Sequence, residues 1–286
     1  MEAPMNSRWQ LEALKANKEF YANYWAHPWK YRLMYDMQIK MKLFLFAVRS
    51  AEIELHGKKV LDIGFGSGRI LFAFDTSCDL YGVDFSLQAV ENARRRALSK
   101  GYRTASFFQM DLDFKSLPLN DRSMDVVICS HVLEHVVDDG KVLRDIHRVL
   151  KDDGSAVILV PLNEEPGQDP HHLRVYRRDS FLSKLKELGF KKTFSRESEY
   201  LGHFTHWFFL RQYHKRIPVL GALISAALNI PLALAPFSVH RLFDRLLSRF
   251  GFLPRQAVFC VSKADNSTTD QYQSTCRSSG QGDTLV

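Results

Sequence analysis

Between residues 58 and 161 short apolar runs alternate with longer segments of mixed polarity. The runs KKVLDIGF, DLYGVDF, ASFFQMDL, DVVICSHV and SAVILVP have the length and the β-branched and aromatic content of strands. The segments between them are long enough for helices, and their spacing predicts Gly68–Thr76, Leu87–Lys100 and Asp139–Leu150 as helical. Strand and helix in strict alternation is the pattern of repeated βαβ units, so the expected class is α/β with a parallel sheet. Beyond Pro161 a polar loop leads to a helix over Arg178–Leu188, which Gly189 ends. Two further strands are expected, at about Lys191–Arg196 and at Gln256–Lys263.

The flanks differ in texture. From Ser7 to Glu54 aromatic and apolar residues recur at three- and four-residue spacing without glycine, which predicts helices, the last over Tyr35–Ala51. Residues 265–286, rich in Ser, Thr, Gln and Gly, carry too little apolar content to pack and are expected to be disordered. The expected organisation is therefore N-terminal helices over 1–54, a core over 55–197 and 254–264, a hydrophobic helical insertion over 198–253 and a tail.

Composition narrows the class. With 286 residues, 45% of them hydrophobic, the chain can bury a full core, which excludes a disordered or fibrous protein. Lys and Arg number 39 against 32 Asp and Glu, a net +7 that would suit an anionic surface, although groups such as Arg94, Arg95, Arg96 and Lys100 fall on solvated faces. Cys78, Cys129, Cys260 and Cys276 have no paired spacing, and Cys129 and Cys260 sit in apolar runs, which points to a reducing compartment and away from a zinc site. The first residues show no basic start, apolar stretch and cleavage site, so a cytoplasmic location is expected.

The chemistry concentrates at strand ends. The first strand runs into Gly64-Phe65-Gly66-Ser67-Gly68, with Asp62 two positions ahead. Glycines at a strand-to-helix turn let the backbone approach a ligand that a Cβ would exclude. A dinucleotide fingerprint wants its third glycine one position later, where Arg69 stands. The second strand ends at Asp84, where a carboxylate can accept from both hydroxyls of a ribose. The third ends at Asp111, placed to accept from an adenine amine, with Phe85 and Leu112 available to sandwich the ring. The fourth ends in Ser130 and the segment His131-Val132-Leu133-Glu134-His135.

Through VLDIGFGSGRI, YGVDFSLQAVENARRRA, FFQMDLDFKSLPL, DVVICSHVLEHVVD and RVLKDDGSAVILVP the chain resembles the class I, Rossmann-like methyltransferases, and within them the "type 11" group that includes ubiquinone-biosynthesis enzymes. The resemblance spans Lys58 to Pro161. It implies a seven-stranded, mostly parallel sheet with helices on both faces and an antiparallel last strand. It also implies S-adenosylmethionine across the carboxyl ends of strands one to four, held by Asp62, Gly64, Phe65, Gly66, Gly68, Asp84, Phe85, Asp111, Leu112 and Ser130.

Methyl transfer asks the protein to align an acceptor and exclude water, with a general base where the acceptor keeps a proton. Two histidines are candidates for that base: His131 at the fourth strand and His172 on the loop after the fifth, where His171, Arg174 and Tyr176 also lie. Some relatives bind a metal through two glutamates and a histidine at the positions of His131, Glu134 and His135. Since the first is histidine here, no metal is expected, and Glu134 and His135 read as structural. The N-terminal aromatics Phe20, Tyr21, Tyr24, Trp25, Trp29 and Tyr31 either close over the cofactor or pack on the sheet.

Residues 217–240 contain no Lys, Arg, Asp or Glu and are long enough to span a bilayer, but the seventh strand must return to the same sheet and Asn229, Pro231 and Pro236 break the run. Two short helices are expected, forming a lid over an apolar pocket or a peripheral membrane contact. The acceptor is then a hydrophobic small molecule or lipid-like compound, methylated on oxygen. RNA or protein methylation, or a non-catalytic cofactor-binding partner, are the alternatives. No nucleic-acid module is present, and no nucleic-acid partner is expected.

Overall fold

The computed structural model describes residues 35–166, 168–201 and 230–264, together with residues 17, 20 and 227. Helix α1 (Tyr35–Ser50) precedes a seven-stranded sheet of β1 (Lys59–Ile63), β2 (Asp79–Asp84), β3 (Ala105–Gln109), β4 (Met124–Ser130), β5 (Leu150–Pro161), β6 (Phe190–Ser198) and β7 (Gln256–Lys263). The spatial order is β3-β2-β1-β4-β5-β7-β6. Strands β1 to β5 run parallel, and β7 lies antiparallel between β5 and β6, as the resemblance implies. Helices α2 (Leu87–Lys100), α3 (Asp139–Val149), α4 (Arg178–Glu187) and α5 (Phe237–Arg249) cover it.

Period-two alternation divides the core. Val60, Ile128, Val157, Leu159, Val258 and Cys260 face α1 and α2, with Phe44, Leu80 and Val90 in the same cluster. Their neighbours Leu61, Val127, Cys129, Ile158 and Phe259 face α3 and α4, against Leu143, Ile146 and Phe181. A strand buried on both faces needs a continuous apolar run, which is why these segments read as they do. Cys129 and Cys260 are buried thiols, as expected.

One expected element is absent. In place of a helix over Gly68–Thr76 the chain makes a single 3-10 turn at Leu71–Ala73. Gly64, Gly66 and Gly68 all take positive φ, and Asp75 then accepts from the Ser77 amide and hydroxyl, so a local side-chain turn replaces helical bonding. The glycine turn therefore has no long helix behind it to lend a dipole. By contrast α2 is capped at both ends: Ser86 accepts from Ala89 N–H, and Gly101 closes it in the left-handed conformation.

The insertion leaves and rejoins the sheet at one point, since Ser198 at the end of β6 pairs with Gln256 at the start of β7. No helix among the described residues is long and apolar enough to cross a membrane. Residues 230–234 are helical, the chain breaks before Pro236, and α5 runs on to Arg249, past the apolar segment's end at His240. Buried Asp244 anchors α5 by accepting from the Ser198 hydroxyl at 2.8 Å and the Tyr200 amide at 3.2 Å. Lys42 of α1 donates to the carbonyls of Ala233 and Ala235. The remaining expected features, residues 217–226, most of the N-terminal aromatic cluster and the tail, lie outside the described residues.

Candidate active site

A cleft of about 440 Å³ opens at the carboxyl ends of β1 to β4. In a parallel sheet the order reverses between β1 and β4, and the loops there diverge and leave a crevice. Asp62, Gly64, Phe65, Gly66, Asp84, Phe85, Asp111, Leu112, Ser130, His131 and His172 all line it. Of the ten residues expected at the cofactor, nine line the cleft and Gly68 does not. It is glycine for packing: a Cβ there would meet the Phe72 ring at 2.7 Å. Phe65 contributes main chain, since its ring is buried beside Phe107, with centroids 5.7 Å apart, and covers Gly82.

Asp84 holds the turn in shape. Its carboxylate accepts from Gly66 N–H at 2.7 Å and Ser86 N–H at 2.9 Å, so the glycine turn and the end of β2 form one unit. Burial pushes its pKa up to about 6 against the opposing pull of those amides. Asp62 is raised well above the usual range by burial and by the neighbouring Asp84. Asp111 accepts from Asp113 N–H at 3.1 Å in a side-chain turn, and Asp113 in turn accepts from Val137 N–H at 2.6 Å. A cleft with three carboxylates at successive strand ends and half-buried Phe85 and Leu112 beside them suits a cationic nucleoside.

The opposite end is a histidine rim. His131, at φ 54°, sets Nδ1 3.1 Å from Glu134 Oε1 and Nε2 3.1 Å from Gln256 Oε1, so both ring nitrogens meet protein oxygens. His172 sets Nδ1 2.5 Å from Glu164 Oε2. Burial lowers the His172 pKa, but Glu164, Glu134 and Asp169 together raise it above its ordinary value. Glu134 is fully buried. Burial would raise its pKa, yet His131, His135 and His172 outweigh that and hold it at about 2. Burial takes His135 the other way, to about 4.

The loop that carries His172 is fixed from below. Asp139, 1% exposed, accepts from Tyr176 Oη at 2.9 Å and Lys184 Nζ at 2.6 Å and pairs with Arg174, whose other nitrogen donates to the carbonyls of Val136 and Val137. Arg174 and Tyr176, grouped with the histidines in the sequence, are thus absent from the cleft wall and serve as the loop's anchor. From above, Phe20 stacks on His171 at 4.2 Å and Asn17 Oδ1 lies 3.2 Å from His171 Nδ1, so the N-terminal segment reaches the rim. Nothing in the residue pattern points to Glu164, because its partner is eight positions on and the loop between them has no period.

Residues 61–158 match the model of a methyltransferase domain family. The chain is 36% identical over 102 residues to the uncharacterized methyltransferase YcgJ of Bacillus subtilis, covering 35% of this chain and 40% of that protein. To a ubiquinone biosynthesis O-methyltransferase of Haemophilus ducreyi it is 35% identical over 104 residues, covering 35% and 44%. The matched region thus spans about half or less of those relatives' length. Among solved structures, a 1,6-didemethyltoxoflavin-N1-methyltransferase of Burkholderia thailandensis, bound to its substrate and S-adenosylhomocysteine, shares the fold with a TM-score of 0.55 and 16% identity over 93% of this chain and 94% of that one. The strand order, the glycine turn with its acidic strand ends and the family match agree: residues 61–158 are a methyltransferase domain of the Rossmann-like, S-adenosylmethionine-dependent kind.

Proposed function

We propose that the protein transfers a methyl group from S-adenosylmethionine to an oxygen of a hydrophobic, lipid-like or quinone-like acceptor. The observation that carries the reading is Asp84, buried at the cleft and held by the amides of Gly66 and Ser86, with acceptor capacity left for a ribose. S-adenosylmethionine supplies a methyl group already activated on a sulfonium. The chain's residues divide the remaining work. Gly64 and Gly66 admit the cofactor's tail, Asp84 and Asp111 take its sugar and base, Phe85 and Leu112 flank the ring, and Ser130 borders the reactive end.

The acceptor enters from the histidine rim, where its proton must leave. Of the two expected bases, His172 is better placed: Glu164 holds one ring nitrogen and the other stands 3.9 Å from Asp169, while His131 has both nitrogens 3.1 Å from protein oxygens. The similarity to a protein named for ubiquinone biosynthesis supports a hydrophobic acceptor, as does the described part of the insertion. Along α5 and beside it Leu234, Leu242, Leu246 and Phe250 are exposed, with Arg241, Arg245 and Arg249 one helical turn apart. That pattern suits a lid or a peripheral contact with an anionic membrane in the cytoplasm.

Methyl-labelled cofactor offered with separate lipid, RNA and protein extracts tests the reading. Label in the lipid fraction, lost in His172→Gln through kcat more than KM, supports it. Label in RNA or protein alone would replace the acceptor, and no label in any fraction, with cofactor bound, would make this a non-catalytic binding protein.

A further inference from the structure

We propose that Glu134, His135 and His172 form a binding site for one first-row divalent metal ion, of the zinc, cobalt or manganese type, at the acceptor end of the cleft. One ligand atom from each of the three lies within 4.8 Å of the others. Ligands about 2 Å from a shared ion stand about 3–4 Å apart, so capture needs the side chains to close by about an ångström.

Three features distinguish this cluster from an incidental one. Glu134 is 0% exposed, its Oε1 lies 3.1 Å from His131 Nδ1, and neither carboxylate oxygen accepts a hydrogen bond of good geometry. A cation facing this buried carboxylate would add to the stabilisation that the surrounding imidazoles already give its charge. Next, both imidazoles are oriented from behind. His135 Nδ1 donates to the His171 carbonyl at 2.9 Å, which puts the ring's lone pair on Nε2, 3.9 Å from Glu134 Oε1. His172 Nδ1 donates to Glu164, so the neutral ring carries its lone pair on Nε2, which lies 3.9 Å from Asp169 Oδ2. A carboxylate or carbonyl behind each histidine is the arrangement that fixes tautomer and direction in metal sites. Finally, the ligands come from two elements, the end of β4 and the loop after β5, which the Asp139 cluster clamps together. Two imidazoles and one carboxylate select a borderline transition ion over magnesium or calcium.

The site differs from the set suggested by the relatives, because His172 from a remote loop supplies a ligand and His131 stands beside Glu134 as its neighbour. Such an ion would supply Lewis acidity toward an acceptor oxygen; His172 would be its ligand with the ion bound and the proton acceptor proposed above in the metal-free chain. Only that role rests on the methyltransferase reading; the binding itself does not.

The test uses the full chain without an affinity tag, stripped with a chelator and titrated with Co2+ in an absorption cell and with Zn2+ in a calorimeter. One ion per chain and visible Co2+ bands are expected. His172→Ala and Glu134→Gln should each weaken binding by more than tenfold, and the positioning variant Glu164→Gln by about tenfold or more. His56→Ala, exposed and remote, should change nothing. If Glu134→Gln fails to fold, His172→Ala decides. No stoichiometric binding, or binding unchanged in His172→Ala, overturns the site and leaves His131 as the neutralising partner of Glu134. S-adenosylhomocysteine binding, measured on the same samples, separates the two readings: Co2+ bound without it sinks the methyltransferase, and the reverse sinks the metal.

Discussion

Asp84 at the end of β2 and Gly66 in the turn after β1, eighteen positions apart, meet through a 2.7 Å hydrogen bond from the glycine amide to the carboxylate. The residue that would read the cofactor's sugar therefore also shapes the turn that admits its tail. Because its pKa is raised to about 6, Asp84 is more easily protonated in the folded chain than in the unfolded one. The sign follows: its contribution to folding is favourable below about pH 4 and is lost as pH rises through about 6. Cofactor binding wants the carboxylate ionised, so affinity should rise across pH 5–7 and level off. Calorimetry near pH 6 in buffers of different ionisation enthalpy should show release of part of a proton on binding. No release would mean that Asp84 does not contact the ligand.

Glycines of the turn should separate by role. Gly66 lines the cleft, so Gly66→Val should abolish binding of S-adenosylhomocysteine. Gly68→Ala meets Phe72 at positive φ and should cost about 1–3 kcal/mol of stability with affinity kept below the melting range. Gly64→Ala meets Val132 and should destabilise as well. Thermal unfolding read beside ligand titration distinguishes these cases, and a Gly68→Ala chain that folds normally but loses the ligand would return Gly68 to the site.

Removing the Asp139 carboxyl should loosen the loop that carries His172. Asp139→Ala leaves Arg174 and Lys184 without their buried partner and should cost about 3–5 kcal/mol. Faster hydrogen exchange should appear over residues 168–177, with the glycine turn protected as before. Uniform deprotection would show that the cluster supports the whole fold.

Exposed apolar residues of α5 offer a test of the insertion. Replacing Leu242, Leu246 and Phe250 together by Ser removes side chains that face away from buried Asp244. Folding and cofactor binding should persist, while co-sedimentation with anionic vesicles falls. The wild-type attraction should weaken with salt, since about 1 kcal/mol per basic residue near a charged surface is screened within roughly 10 Å. Wild-type chain that ignores vesicles at low salt would turn the search to soluble acceptors.

How far the sequence reached depends on whether a feature is local. Strands β1, β2, β4, β5 and β7 were legible because burial on both faces demands apolar runs, and α2 because Ser86 and Gly101 mark its ends. The carboxylates at Asp84 and Asp111 were legible because each sits at a fixed place on a strand end. The 3-10 turn after Gly68 was missed, since Ile70, Leu71 and Phe74 carry helical spacing while Asp75 and Ser77 build a competing turn. The Glu164–His172 pair and the convergence of His172 on Glu134 and His135 were beyond reach: they join a strand end to a loop whose path is set by Asp139, and no spacing along the chain records it.

Calorimetric titration of the full chain with S-adenosylhomocysteine at pH 7.5, repeated with Asp84→Ala, bears most directly on the central claim. One site per chain is predicted, with affinity lowered at least tenfold in the variant while its circular dichroism matches the parent. A parent chain that takes up no ligand, or a folded Asp84→Ala chain that binds as tightly as the parent, would contradict it.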